Sequence, residues 1–358
     1  MEIDVGVIGA TGFTGGEIVR LLHFHPKVNL TYVTSRKLMG KYVSSRNPNL
    51  RTITNLKYES YSVEKAKEKC DYLFLCVPHT VSQDMVPPML EAGLKVIDLS
   101  ADYRLKDKEL YKYYYKKEHT SPEFLERSVY GLPEIHRSEI KSADLVAVAG
   151  CHAASAIYAL FPLIKEDLIL LDKIIVDSKT GSSGSGAEVS ESSHHPIRAN
   201  SIRPYKMTNH RHTAEIEQEL AIAIRDKNKK NLINVGFSAH AVNILRGILS
   251  TCHVFYDKSN KIDEKVLFKC YRSVYKDEPF VRMIKQASGI FRLPDPKIIA
   301  GTNYVDIGFE LDPHSNRIVV LSTLDNIIKG AVGNAIQCLN IMINIDEKTG
   351  LEFPGFFP

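Results

Sequence analysis

The amino-acid sequence predicts an α/β fold in two domains, a parallel sheet with crossover helices followed by a domain built on an antiparallel sheet. Three observations carry that expectation. Over the first 150 residues, short apolar runs alternate with helix-like or polar stretches, the rhythm of βα units. A glycine-rich turn, Gly9-Ala10-Thr11-Gly12-Phe13-Thr14-Gly15, falls where the first strand should become the first helix. From about Cys151 the runs become richer in β-branched and aromatic residues, as in an antiparallel sheet. At 358 residues the chain is long enough for two cores.

Ile3–Ile8 reads as the first strand, with Val5, Val7 and Ile8 apolar. Ile18, Leu21, Leu22 and His25 then recur at three- and four-residue spacing, the period of a helix packed on a sheet. Glycines between the two let the backbone turn tightly and lie against a pyrophosphate. The free N–H groups and dipole of the helix start stabilise its charge. The spacing is G-x-x-G-x-x-G, a variant of the dinucleotide fingerprint, and a strand–helix turn without ligand could use the same residues. The second strand, Leu30–Val33, ends in Thr34-Ser35-Arg36-Lys37. A carboxylate there would bind the free ribose 2′-OH of NAD; small hydroxyls followed by Arg36 and Lys37 favour the 2′-phosphate of NADP. A solvated basic turn is the plainer alternative.

Tyr72–Val77, Leu94–Leu99 and Leu145–Ala149 supply further strands of the first domain, expected to span residues 1–150. A helical stripe of Ile328, Ala331, Val332, Ala335, Leu339 and Met342, within residues 325–358, is expected to return and complete it. The second domain then covers residues 151–324. Lys173–Asp177, Gly236–Ala241 and Ile248–Phe255 read as its strands. The polar stretch Ser178–Arg211, dense in Ser, Gly, His and Arg, is too long for an idle connection.

Hydrophobic residues make up 44%, charged residues 25%, and the net charge is +4. This is ordinary for a globular protein, too weakly basic for nucleic acid as a partner, and suited to anionic ligands. The apolar runs have strand length, far short of a membrane span, and no cationic-then-apolar leader opens the chain. Six scattered cysteines without a C-x-x-C pair read as reduced thiols, so a cytoplasmic location without membrane contact is expected.

Cys151 follows Val146–Gly150 and precedes His152-Ala153-Ala154-Ser155-Ala156, where a buried strand gives way to a small-residue helix. A thiol at a helix N-terminus has its thiolate stabilised by the dipole and nearby N–H groups. On position alone it reads either as a nucleophile or as a packed core thiol. Cys70, Cys76, Cys252, Cys270 and Cys338 fall in apolar or periodic contexts and read as core. A proton partner is available in His210-Arg211-His212-Thr213-Ala214-Glu215-Ile216-Glu217, where carboxylates are close enough to orient an imidazole. His210 and His212 could instead ligate a metal with His194 and His195, but no thiolate pair or H-E-x-x-H accompanies them, and no metal is expected. Arg198, Arg203 and Arg246 fall in segments expected to be loops or strand ends. Guanidinium groups there would grip carboxylate or phosphate.

Taken together, these residues resemble the N-acetyl-γ-glutamyl-phosphate reductase family, relatives of aspartate-semialdehyde dehydrogenase. The resemblance runs over nearly the whole chain. It includes Gly9–Gly16, Asp98-Leu99-Ser100-Ala101-Asp102-Tyr103-Arg104, Tyr130-Gly131-Leu132-Pro133-Glu134, Gly150-Cys151, His210–Gln218, Arg246-Gly247, Asp325-Asn326 and Lys329-Gly330-Ala331. It implies a Rossmann domain binding NADP(H) and an α+β domain like that of glyceraldehyde-3-phosphate dehydrogenase. It also implies Cys151 as nucleophile, His210 and His212 (His212 favoured) as acid–base groups, and Asn326 near the nicotinamide.

Gly150-Cys151-His152-Ala153-Ala154 departs from the Gly-Cys-Tyr-Pro-Thr of the arginine-pathway enzymes, as does His195–Tyr205 from their usual version. Both look closer to the branch that reduces an aminoadipyl or glutamyl phosphate on a small acidic amino-group carrier protein. That reading implies Arg104, Arg198, Arg203 and Arg246 as substrate-binding residues, with Arg198 and Arg203 meeting the carrier's terminal glutamate. Free N-acetylglutamyl phosphate is the alternative substrate, and a non-catalytic NADP-binding regulator the alternative class. Relatives are typically dimers or tetramers, so a homo-oligomer is expected.

Overall fold

In the computed structural model residues 2–357 are described, and they form two compact units. Met1 and Pro358, which begin and end the expected domain spans, lie outside the described residues. The first unit contains the chain up to Ala149, Gly186–Glu188 and Ala331–Glu352; the second contains Gly150–Ser185, Val189–Gly330 and the segment from Phe353. No helix among the described residues is long and apolar enough to cross a membrane.

The first unit is built on β1 (Ile3–Ile8), β2 (Val28–Val33), β3 (Tyr72–Leu75), β4 (Lys95–Asp98), β5 (Val129–Gly131) and β6 (Leu145–Val148). All pair in parallel, in the order β2-β1-β3-β4-β6-β5. β3 and β6 are buried along their whole length, as apolar strands covered on both faces must be. The crossovers carry α1 (Phe13–His23), α2 (Val63–Lys69), α3 (Ser82–Glu91), α4 (Lys108–Tyr115) and α5 (Pro133–Ser142). Ser62 caps α2 by accepting from the Lys65 N–H, and Asp107 caps α4 through Glu109 and Leu110. Tyr32, Leu73, Leu75, Val86, Met89, Val96 and Leu145 pack together in the core.

The second unit holds β7 (Ile174–Thr180), β8 (Arg203–Lys206), β9 (Val235–Ala241), β10 (Ile248–Phe255), β11 (Val281–Met283), β12 (Val305–Asp312) and β13 (Arg317–Leu324). Their order is β11-β12-β13-β10-β7-β9-β8. Burial alternates along β7, β9 and β10, so one face of the sheet is covered. The cover is α6 (Cys151–Lys165), which lies on β10 and β13. With α6 pack α8 (His212–Ala223) and α9 (Glu264–Tyr275); the single-turn α7 (His195–Arg198) precedes β8.

The expected antiparallel sheet is mixed: β7 pairs with β9 in parallel, and β11 with β12 likewise. A parallel partner needs a long crossover, and the segment between β7 and β9 supplies one, with α8 as its helix. The polar stretch Ser178–Arg211 includes the first half of that crossover.

After β13 comes a π-helical turn, Ile328–Val332, and then α10 (Gly333–Met342). The part that returns to the first unit is residues 331–352 rather than the whole of 325–358. Asp325 stays with the second unit because its carboxylate accepts from the N–H groups of Gly301 (2.6 Å), Ile327 (2.7 Å) and Ile328 (2.9 Å). The last residues stay there too: a Cβ on Gly355 would lie 2.7 Å from Thr302 Cγ2. Every residue of α10 is buried, and its polar side chains are matched inside the first unit. Asn334 donates to the Gly131 carbonyl (2.6 Å), Gln337 to Glu134 (3.2 Å), and Asn340 Oδ1 meets His25 Nε2 (2.9 Å). His25, counted above in the α1 stripe, lies beyond the end of that helix.

Candidate active site

The β1–α1 turn is shaped by two close approaches. Gly9 has φ +80°, and a Cβ there would fall 2.4 Å from the Cys76 carbonyl oxygen. A Cβ on Gly15 would fall 2.5 Å from Gly9 O, so only glycine lets the turn close. Gly12 is the N-cap of α1, no side chain caps it, and the first turn carries no acidic residue. The N–H groups there are left for an anion. Ala10 is buried beneath the turn and Phe13 is exposed. Thr34 and Ser35 are buried at the end of β2, where Thr34 Oγ1 accepts from the Gly9 N–H (3.4 Å) and Ser35 Oγ from that of Leu38 (3.1 Å). Arg36 is exposed; Thr11, whose carbonyl accepts from Arg46 Nε (3.2 Å), and Thr14 are half-buried. A helix start without a capping side chain, on a turn closed tightly at Gly9 and Gly15, fits a dinucleotide pyrophosphate.

Also in the first unit, Asp98-Leu99-Ser100-Ala101-Asp102 forms a buried network. Ser82 Oγ donates to Asp98 (2.8 Å) or Asp102 (3.0 Å) and meets Ser100 Oγ (2.7 Å), while Tyr111 OH donates to Asp102 (3.0 Å). Burial, with Asp102 nearby, pushes Asp98 up to about 6. The buried Arg104 donates through Nη2 to the Leu99 carbonyl (3.1 Å).

The second unit collects the groups that the sequence marked as candidates for covalent chemistry. Gly150 is the N-cap of α6, without a side-chain cap and without an acidic residue in the first turn, so the dipole acts on Cys151. Cys151 is half-buried, whereas Cys70, Cys252, Cys270 and Cys338 are buried; Cys76 is half-buried, and burial pushes its thiol strongly up. Glu215, fully buried, joins the helix head to α8. Its Oε2 accepts the Gly150 N–H (3.0 Å), and its Oε1 lies 3.7 Å from His212 Nε2. His210 Nδ1 accepts the His212 N–H (3.2 Å), and the two rings are 4.7 Å apart between centroids. His152 completes the group, its ring 5.5 Å from His210 and 5.6 Å from His212. Burial, reinforced by the Arg211 charge, lowers His210 to about 4; burial and the neighbouring His210 lower His152 to about 3.

Three loops meet at backbone distance beside this group. A Cβ on Gly181 would lie 2.6 Å from Leu245 O, and one on Gly330 would lie 2.6 Å from Cys151 Cβ. Asn326 ties the loops together: Oδ1 accepts the Gly247 N–H (2.8 Å) and Nδ2 donates to Ser183 Oγ (2.9 Å). Arg246 Nη1 lies 3.7 Å from Asp325 Oδ2, on the turn that abuts Cys151. Arg198 is buried and donates to the Val242 carbonyl (3.0 Å), and Arg203 donates to that of Ser192 (3.1 Å). After burial, the Arg203 charge is the main influence lowering the Arg198 pKa, so the two guanidinium groups are neighbours. Neither has a carboxylate within ion-pair reach among the described residues.

The structure therefore gathers Cys151, His210, His212, Arg198, Arg203, Arg246 and Asn326 in the second unit. Gly9–Gly15, Thr34–Arg36 and Arg104 lie in the first. No group of three or more side chains that could hold a metal ion occurs among the described residues. Sequence reasoning missed the roles of His152, Ser178 and Tyr205, which hydrogen-bond one another next to Cys151. The one available signal was a histidine directly after the cysteine.

Residues 4–143 match the family model described as semialdehyde dehydrogenase, NAD binding domain, and residues 151–326 match semialdehyde dehydrogenase, dimerisation domain. A protein of Nitrosopumilus maritimus named putative LysW-L-2-aminoadipate/LysW-L-glutamate phosphate reductase is 46% identical, covering 99% of this chain and 100% of its own. The LysW-L-2-aminoadipate/LysW-L-glutamate phosphate reductase of Sulfurisphaera tokodaii is 45% identical over 99% of both chains. The fold matches aspartate semialdehyde dehydrogenase with NADP from Candida albicans at TM-score 0.68 and 17% identity, covering 96% of this chain and 99% of that one. The chain is thus an oxidoreductase that belongs to the semialdehyde dehydrogenase family, in the branch of the LysW-L-2-aminoadipate/LysW-L-glutamate phosphate reductases.

Proposed function

We propose that this enzyme reduces a carrier-linked 2-aminoadipyl or glutamyl phosphate to the semialdehyde, with release of phosphate, through a thioester on Cys151. The observation that carries the reading is Cys151 at the start of α6, tied through Glu215 to a histidine pair, in the same unit as Arg198 and Arg203, which have no carboxylate partner among the described residues. The Cys151 thiolate attacks the acyl carbon, the carbon–oxygen bond to phosphate breaks, and the Cys151 N–H at the head of α6 favours the oxyanion, the Gly150 N–H being held by Glu215. The β1–α1 turn and Arg36 would hold NADPH by its pyrophosphate and 2′-phosphate, and that cofactor, when bound, would supply the hydride for reduction of the thioester. His212, oriented by Glu215, holds the proton that the departing thiohemiacetal requires. Asn326 keeps the loop that carries Arg246 against the turn beside Cys151.

Arg198 and Arg203 would receive the carrier's terminal carboxylates, since two adjacent guanidinium groups are relieved by an anion. Around them Ile202, Lys206, Met207 and Arg211 are exposed, a basic and apolar surface suited to an acidic protein. In this reading residues 1–150 with the returning helix form the cofactor domain, and residues 151–324 the catalytic one. The dimerisation-domain match supports a homo-oligomer, and six scattered cysteines without a C-x-x-C pair support a cytoplasmic enzyme. With NADPH present, turnover is expected on carrier-linked aminoadipyl or glutamyl phosphate and not on free N-acetylglutamyl phosphate; the reverse preference overturns the carrier. Cys151→Ser should lose at least about a thousandfold in kcat while retaining dinucleotide binding.

A further inference from the structure

Four side chains of the second unit form one unbroken line of hydrogen bonds. Ser250 Oγ meets Ser178 Oγ at 3.2 Å, Ser178 Oγ meets His152 Nδ1 at 2.7 Å, and His152 Nε2 meets Tyr205 OH at 3.0 Å. The line follows from the sheet: Ser178 and Ser250 face each other on inward positions of β7 and β10, beneath the first turn of α6. Tyr205 reaches it from the edge strand β8.

The direction of donation is fixed at the closed end. Ser250 is fully buried, and Ser178 is its side chain's partner; no other is found among the described residues. Were Ser250 to accept, its own hydrogen would be a buried donor without an acceptor, which native interiors avoid. Ser250 therefore donates to Ser178, and Ser178 donates to His152 Nδ1. The imidazole is neutral, because burial lowers it to about 3, so it carries its one hydrogen on Nε2 and donates that to Tyr205. The tyrosine oxygen is thus an acceptor from His152, and its own hydrogen is directed elsewhere. That hydrogen is retained at any working pH, since burial and the nearby Cys151 push the phenol up to about 12. Cys151 directly precedes His152 in the first turn of α6, so the tyrosine hydroxyl is held 3.0 Å from the side chain next to the thiol.

We infer that Tyr205 donates a hydrogen bond to the anion formed at Cys151, first the thiolate and then the oxyanion, and that Ser250, Ser178 and His152 position it to do so. The inference rests on the reading of Cys151 as nucleophile. Tyr205 is then a catalytic residue and the other three are positioning residues.

The test is the rate of Cys151 alkylation by iodoacetamide across about pH 5 to 9, followed by mass spectrometry in the full-length protein and in Tyr205→Phe. Phenylalanine keeps the ring and removes only the donor. Loss of the donor should move the midpoint upward and slow alkylation at neutral pH about tenfold. Superimposable profiles on a reactive Cys151 overturn the inference alone. A wild-type Cys151 that resists alkylation throughout overturns the nucleophile, and the inference with it. As an independent readout, nitrogen NMR of labelled histidine, assigned with His152→Asn, should find the Nε2–H tautomer at His152; the Nδ1–H tautomer overturns the relay.

Discussion

At the scale of single residues, the site is defined by imidazoles held neutral. His152 and His210 fall to about 3 and about 4 from 6.5, chiefly because burial penalises their charged forms. As pH drops below 6.5 the unfolded chain takes up protons that the folded chain refuses, so stability declines until the folded values are reached. Each histidine contributes a slope of up to about 1.4 kcal/mol per pH unit in that window. Denaturant unfolding between pH 6.5 and 4.5 should therefore be less pH-dependent in His210→Gln than in wild type by about that slope; equal slopes would contradict the neutral assignment. Cys151, His210 and His212 could be read in the sequence because each lies in a local pattern. Tyr205 could not, since it meets His152 across 53 residues and through the edge of a sheet whose pairing no local pattern encodes.

Among the elements, the π-helical turn after β13 packs directly against Cys151, the proposed nucleophile. Its Gly330 leaves no space for a side chain: an added Cβ would be 2.6 Å from Cys151 Cβ, 3.1 Å from Leu324 Cδ1 and 3.3 Å from Asp325 O. Gly330→Ala must shift either the turn or the head of α6. We expect a loss of about a hundredfold in kcat/KM, as a displacement near 1 Å costs, with dinucleotide affinity preserved. Activity within a few-fold of wild type would mean that the contact is absorbed elsewhere. Strands such as β3 and β10 could be read in the sequence from apolar runs and from alternation. Strand direction could not, because the period-2 pattern is the same for parallel and antiparallel neighbours. Only the long crossover before β9 marks it as a parallel partner of β7.

For the whole molecule, charge is modest, +4 over 358 residues, so under the proposed function attraction to an acidic carrier would come from local clustering around Arg203, Lys206 and Arg211. KM for a carrier-linked substrate should rise about three- to tenfold as salt increases from about 50 to 500 mM, with kcat little changed. A KM indifferent to salt would place the carrier on another surface.

The two units are stitched rather than joined end to end: the chain leaves the first at Ala149 and comes back at Ala331 to deliver α10. On the ribosome the opening βα repeats therefore emerge early but lack the buried helix that fills their underside. The middle of the chain, though made later, can finish its sheet sooner. Order of synthesis and order of completion are thus inverted, and neither half can be exchanged as a single cassette.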